Sequence, residues 1–144
     1  MPASSIYDWA GPGDPDNKLV LDAIDDPATS LGRNWHTPTE SELRELLDTT
    51  KVTSVWVNNY NGISGLNGIE FTSLINGNKL FIPAAGTRSS GKVVDTGERA
   101  YLLSSSLDSA PSNIWSLYFV QSNIYIGNMF RYDGLSVRPV RTAN

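Results

Sequence analysis

Helical periodicity is concentrated in one short stretch of this chain, and that scarcity constrains the fold more than any other feature. Thr39-Glu40-Ser41-Glu42 has the form of a capping box. In that device the threonine hydroxyl accepts from an orphan backbone N–H, and the glutamate reaches back to the cap. Glu40 and Glu42 sit where the helix dipole favours negative charge. Leu43, Leu46 and Leu47 then recur at i, i+3 and i+4, which predicts a helix over 40–49 with one buried stripe. A second, shorter helical turn is expected from Asp26-Pro27, with proline at the first helical position and Gly32 as the stop.

The remainder reads as short strands. Ser54–Val57 is rich in Val and Trp, and Ile69–Leu74 alternates in part. Asn76-Gly77 separates the latter from Lys79–Ile82, a hairpin signal because both turn positions tolerate positive φ. Tyr101–Ser105, Ile114–Val120, Ile124–Ile126 and Ser136–Arg141 are further strand candidates. Gly86–Gly97 and Asp108–Asn113 read as Gly-, Ser- and Asn-rich loops, and no fixed-period repeat occurs. At 144 residues the chain suits one domain, 1–144, able to bury a core without a metal or disulfide. The expected class is α+β: two helices flanking a mostly antiparallel sheet, with long irregular loops.

Composition removes many functions. With no cysteine there is no disulfide framework, thiol nucleophile or iron–sulfur centre. One histidine, His36, excludes multi-histidine metal centres. A net charge of −4 argues against binding duplex nucleic acid. That charge is uneven: residues 1–50 carry ten acidic and three basic side chains, residues 51–144 five and eight. No apolar run nears the roughly 18 residues of a membrane span. The first basic residue is Lys18, so no secretory signal is expected, although a processed extracellular protein would look the same.

Candidate chemistry is sparse. Asp14-Pro15-Asp16-Asn17 lacks the alternating ligands and closing glutamate of a calcium loop and reads as a turn. Ser104-Ser105-Ser106 has no nucleophile-elbow context, so a strand-end or hydrogen-bonding role is expected. His36, beside a helix cap, reads as structural, and Asp25-Asp26 as helix-start residues. Neither a metal nor a cofactor is expected.

The stretch from Ile114 to Leu135 differs in character. Aromatics, Met and Asn are interleaved, without a clean period after about Ile124. One reading is a core strand followed by a surface loop. The other is a binding surface, since Tyr, Trp, Met and Arg are enriched at interfaces and Ser, Gly and Asn add adaptable hydrogen bonding. Composition leaves both open.

Four stretches together resemble one family. They are Gly32–Thr39 with Glu42, Leu43 and Leu46; Asn61–Leu66 through Phe71–Ser73, Asn76–Asn78 and Phe81–Arg88; Tyr101–Leu107; and Trp115–Phe119 with Arg131–Arg141. Their order is similar to the C-type-lectin-like "major paralogous domain" of gut Bacteroidetes and their phages. Within it, the likeness is to the variable proteins of diversity-generating retroelements, over about residues 20–141. Leu103 stands where that family often has Trp, and Thr37 where it has Leu or Met.

The resemblance implies a C-type-lectin-like fold and a non-enzymatic domain that binds a ligand or receptor. In such systems a reverse transcriptase rewrites adenine-derived codons, mostly Asn and Tyr, in a C-terminal repeat. The aligned run is Val120 to Phe130, where Val120, Tyr125, Ile126, Gly127, Met129 and Phe130 depart from the Asn/Tyr pattern, as a diversified copy would. Residues 112–135 become the variable binding region and 1–19 an N-terminal strand or extension. The expected ligand-contacting residues are Trp115, Ser116, Tyr118, Tyr125, Ile126, Gly127, Asn128, Met129, Phe130, Tyr132 and Asp133. Arg138 and Arg141 are expected to pin the last strand by hydrogen bonds.

The implied partner is a protein or glycan on a cell surface, with no nucleic acid and no membrane insertion. The implied location is extracellular, at a cell surface or on a phage virion. A fixed-specificity adhesin of the same fold is the first alternative; the Glu-Pro-Asn and Gln-Pro-Asp tripeptides of calcium-dependent lectins are absent. The second is an enzyme like the formylglycine-generating enzymes of that fold superfamily, which use paired cysteines that this chain lacks.

Overall fold

A computed structural model describes residues 18–110 and 112–143. The expected extension 1–19 and the Asp14–Asn17 turn therefore lie outside the described residues, apart from Lys18 and Leu19. Among the described residues, two 3-10 turns (Pro27–Leu31 and Tyr60–Gly62) and one helix, α1 (Glu40–Glu45), accompany ten strands. The strands are β1 (Trp35–His36), β2 (Val52–Val57), β3 (Gly68–Ser73), β4 (Lys79–Pro83), β5 (Thr87–Ser89) and β6 (Lys92–Val94). They continue with β7 (Arg99–Leu107), β8 (Asn113–Val120), β9 (Asn123–Phe130) and β10 (Val140–Arg141).

The expected pair of flanking helices is not formed. Asp26 caps a five-residue 3-10 turn that stops at Gly32, as its punctuation indicates, but the segment never becomes α-helical. The capping box of α1 is present in both directions, with Thr39 N–H donating to Glu42 at 2.8 Å and Glu42 N–H to Thr39 Oγ1 at 3.2 Å. The helix ends four residues short of the expected 49. Asp48 there accepts from the Thr50 N–H and hydroxyl, turning the chain into β2.

The strands form small, mostly antiparallel sheets: β2-β3-β4, β7-β8-β9, and the pairs β1-β10 and β5-β6. Alternation sets what each buries. Trp56, Ile69, Phe71, Leu80 and Ile82 of the first sheet face Ala100, Leu102, Leu117 and Phe119 of the second, with Leu43, Leu46 and Leu47 closing one end. Trp56 meets Phe119 edge-on at 6.4 Å, a favoured aromatic arrangement.

Three strand expectations change. Gly86–Gly97 contains the β5–β6 hairpin, turned by Ser90 and Gly91 at φ 49° and 79°. Positive φ at both positions marks the turn type whose twist matches paired strands. Asn76-Gly77 does lie in the β3–β4 connection, but only Gly77 takes positive φ, and its N–H closes a longer loop onto Ser73. Ser136–Arg141 is strand only at β10; Ser136 bridges Leu102 in parallel, and Pro139 lacks the N–H needed to continue a ladder.

Candidate binding surface

The β8–β9 hairpin dominates residues 112–135. Gln121-Ser122 turns it, and eight consecutive pairs run unbroken from Val120↔Asn123 to Asn113↔Phe130. The irregular run after Ile124 is thus an ordered edge strand, not a surface loop. Its period of two was hard to see because both faces mix apolar and polar side chains. Tyr125, Gly127 and Met129 share one face; Ile124, Ile126, Asn128 and Phe130 share the other.

The face turned away from the core carries a row of tyrosines across three strands. Tyr101 lies opposite Tyr118, and Tyr118 opposite Tyr125. Their ring centroids are 5.0 and 4.8 Å apart, with planes tilted by 46° and 49°. Tyr125 is 46% exposed, and the other two are half-buried. Burial pushes the Tyr118 hydroxyl above its ordinary pKa, against the opposing pull of Arg99. Arg99 ends the row, held by Tyr101 and by Asp95 at 3.4 Å, and both partners raise its pKa further.

The other predicted contacts divide between places. Trp115 and Asn128 pair on the helix side of the sheet, where the Arg44 guanidinium lies 6.0 Å from the Trp115 ring and the Asn128 amide donates to Asp108. Ile126 packs on the core. Ser116 is fully buried, its hydroxyl donating to Gly127 O at 3.2 Å, so it has no surface to offer a ligand. Met129 is half-buried opposite buried Ile114. Phe130 and Tyr132 stack at 4.9 Å and are 47% and 71% exposed. Asp133 donates its N–H to Phe130 O, closing the turn after β9.

Arg99 and Tyr101 join this surface although no run in the chain linked them to residues 112–135. Only the register of β7 against β8 brings them there. Arg138 and Arg141 are exposed; the backbone pairing Trp35↔Arg141 and His36↔Val140 ties down the chain end.

The groups that suggest catalysis serve the scaffold. Ser104–Ser106 form a bulge where three residues of β7 lie opposite one of β8, Trp115. There the Ser106 hydroxyl accepts from the Glu40 N–H at 3.0 Å, and Ser105 N–H donates to Pro38 O at 2.8 Å. His36 Nε2 lies 3.0 Å from both oxygens of Glu42. Buried Asp26 accepts from Ala28 N–H and from both the N–H and hydroxyl of Thr37. No cluster of three His, Asp or Glu side chains able to hold a metal occurs among the described residues.

Cavities are small. One of about 170 Å³ lies between β2 and the β8–β9 turn, and one of about 100 Å³ lies under α1. Both fall below the roughly 300 Å³ at which small-molecule sites begin. Among the described residues no helix is long and apolar enough to cross a membrane. Compared with protein-family models, curated proteins and solved structures, the chain matches none.

Proposed function

We propose that this chain is a non-enzymatic binding domain of C-type-lectin-like fold, whose β8–β9 surface is diversified by a retroelement and meets a protein or glycan at a cell or virion surface. The tyrosine row Tyr101–Tyr118–Tyr125 carries this reading. It is a half-open aromatic surface on a paired sheet, and tyrosine offers contact area at low entropic cost. Tyr125, Asn128 and Phe130 of β9 are exposed, so these side chains can vary with limited damage to the core on which Ile124 and Ile126 pack. The meeting of Asn34–His36 with Val140–Thr142, which brings the chain end back to the first third, also suits that fold.

The test is a binding screen against bacterial surface glycans and proteins, followed by the double variant Tyr125→Ala/Phe130→Ala. Loss of the screened ligand with melting shifted only slightly is expected. Retained binding would remove the β9 surface from the site. Diversification is tested separately, by a near-identical genomic repeat with adenine-specific mismatches beside a reverse-transcriptase gene.

A further inference from the structure

Among the described residues, strand β9 is an edge without the usual guards. Exposed strand edges are normally blunted by charge, proline or a bulge, because their free N–H and C=O groups template pairing with another chain. Asn-Ile-Tyr-Ile-Gly-Asn-Met-Phe has no charge and no proline, and its eight pairs with β8 contain no bulge. The free side of β7, by contrast, is covered: Leu19–Leu21 and Ser136 both bond to it. Among the described residues, no backbone–backbone hydrogen bond outside the β8–β9 ladder uses residues 123–129, and the Ser116 hydroxyl bonds to Gly127 O on the side facing β8.

We propose that this edge pairs antiparallel with β9 of a second copy of the chain, about a twofold axis normal to the sheet. Val120 and Asn123 close a two-residue hairpin, so Asn123, Tyr125, Gly127 and Met129 bond to β8. Ile124, Ile126 and Asn128 therefore point their backbone groups outward. Outward residues must face outward residues, which limits the central registers to two. Either Ile126 or Gly127 lies opposite itself.

The first register is the better fit. It sets Tyr125 opposite Gly127 of the second copy, so the two Tyr125 rings flank the twofold axis and neither faces a side chain directly across the strands. Tyr125 already leans over its own Gly127, where an added Cβ would fall 2.9 Å from Cε2. Every cross-strand pair from Ser122–Phe130 to Phe130–Ser122 is then uncharged. A charged foreign peptide would find no opposite charge on this strand, whereas a second copy finds its own match. The two three-stranded sheets become one, with the tyrosine rows side by side on the same face. This pairing stands whether or not the tyrosines bind a ligand.

Sedimentation of the full chain tests it. The mass is expected to rise from one chain toward two with concentration, and Asn128→Pro, which removes an outward N–H but no bond to β8, abolishes the rise. The chain has no cysteine, so engineered thiols report the register. A mixture of Tyr125→Cys and Gly127→Cys chains should cross-link as a heterodimer faster than either variant alone. A monomer at every concentration, or a dimer untouched by Asn128→Pro, overturns the proposal. Preferential Gly127→Cys homodimers overturn its register. Should Asn128→Pro fail to fold, the cross-link decides.

Discussion

Glu42 serves two structural elements with one side chain. It completes the cap of α1 and also receives His36. Partial burial pushes its carboxyl up, but the Thr39 N–H, the His36 imidazole and the Thr39 hydroxyl together hold it below the ordinary 4.5. A carboxyl lowered in the folded state stabilises above its unfolded pKa, and that contribution is lost as pH falls through the folded value. Glu42→Gln should therefore melt below the parent at neutral pH, with the gap closing as pH drops below 4.5. Thr39→Ala, which removes the cap hydroxyl together with the γ-methyl, should cost about 1 kcal/mol by chemical denaturation. A pH-independent gap for Glu42→Gln would mean that its charge contributes nothing. The capping role was legible from the Thr39–Glu42 spacing. The second partner was not, because His36 is placed beside Glu42 by β1, a strand paired with the distant β10.

Among the elements, β3 depends most on a missing side chain. A Cβ on Gly68 would fall 2.2 Å from Ile82 O and 2.8 Å from the Phe81 ring. The obstacle is backbone of the paired strand, which cannot step aside without breaking the ladder. Gly68→Ala should thus cost about 3 kcal/mol, the upper end for overpacking. At Gly127 the obstacle is the free end of Tyr125, so Gly127→Ala should cost far less, and equal losses would refute this reading. Equilibrium unfolding of the two variants makes the comparison. The β2, β3, β4, β7 and β8 segments were legible because apolar runs and turn residues coincide. β9 beyond Ile126 and the β5–β6 hairpin were not. An edge strand with two mixed faces shows no amphipathic period, and Ser-Gly signals a turn without saying that strands flank it.

The molecule as a whole divides into a buried side and a usable side of one sheet. Phe119 is fully buried between the two sheets, and Phe119→Ala should cost about 3–5 kcal/mol. Tyr132, 71% exposed, should change stability by less than about 0.5 kcal/mol when cut to alanine. Thermal melts of both variants check that division. A large loss at Tyr132 would place the turn after β9 in the scaffold rather than in a tolerant surface. The same division explains why the eleven expected contacts do not form one patch: alternate residues of a strand face opposite ways. Tyr118 and Tyr125 look outward and Ile126 packs on the core; Ser116 lies on the tyrosine face, two residues from Tyr118, but is enclosed there.

Local chemistry by itself determined the cap of α1, the stop at Gly32, five of the main strands and the exclusion of cysteine chemistry, since each rests on neighbours within a few positions. Only tertiary structure decided that Asp26 would clamp Thr37, that Ser106 would cap a helix 66 positions away, and that Tyr101 would stand beside Tyr118. Those contacts depend on strand register and sheet packing. Register is fixed by the sum of many pairings along a ladder, a long-range quantity that no single motif carries.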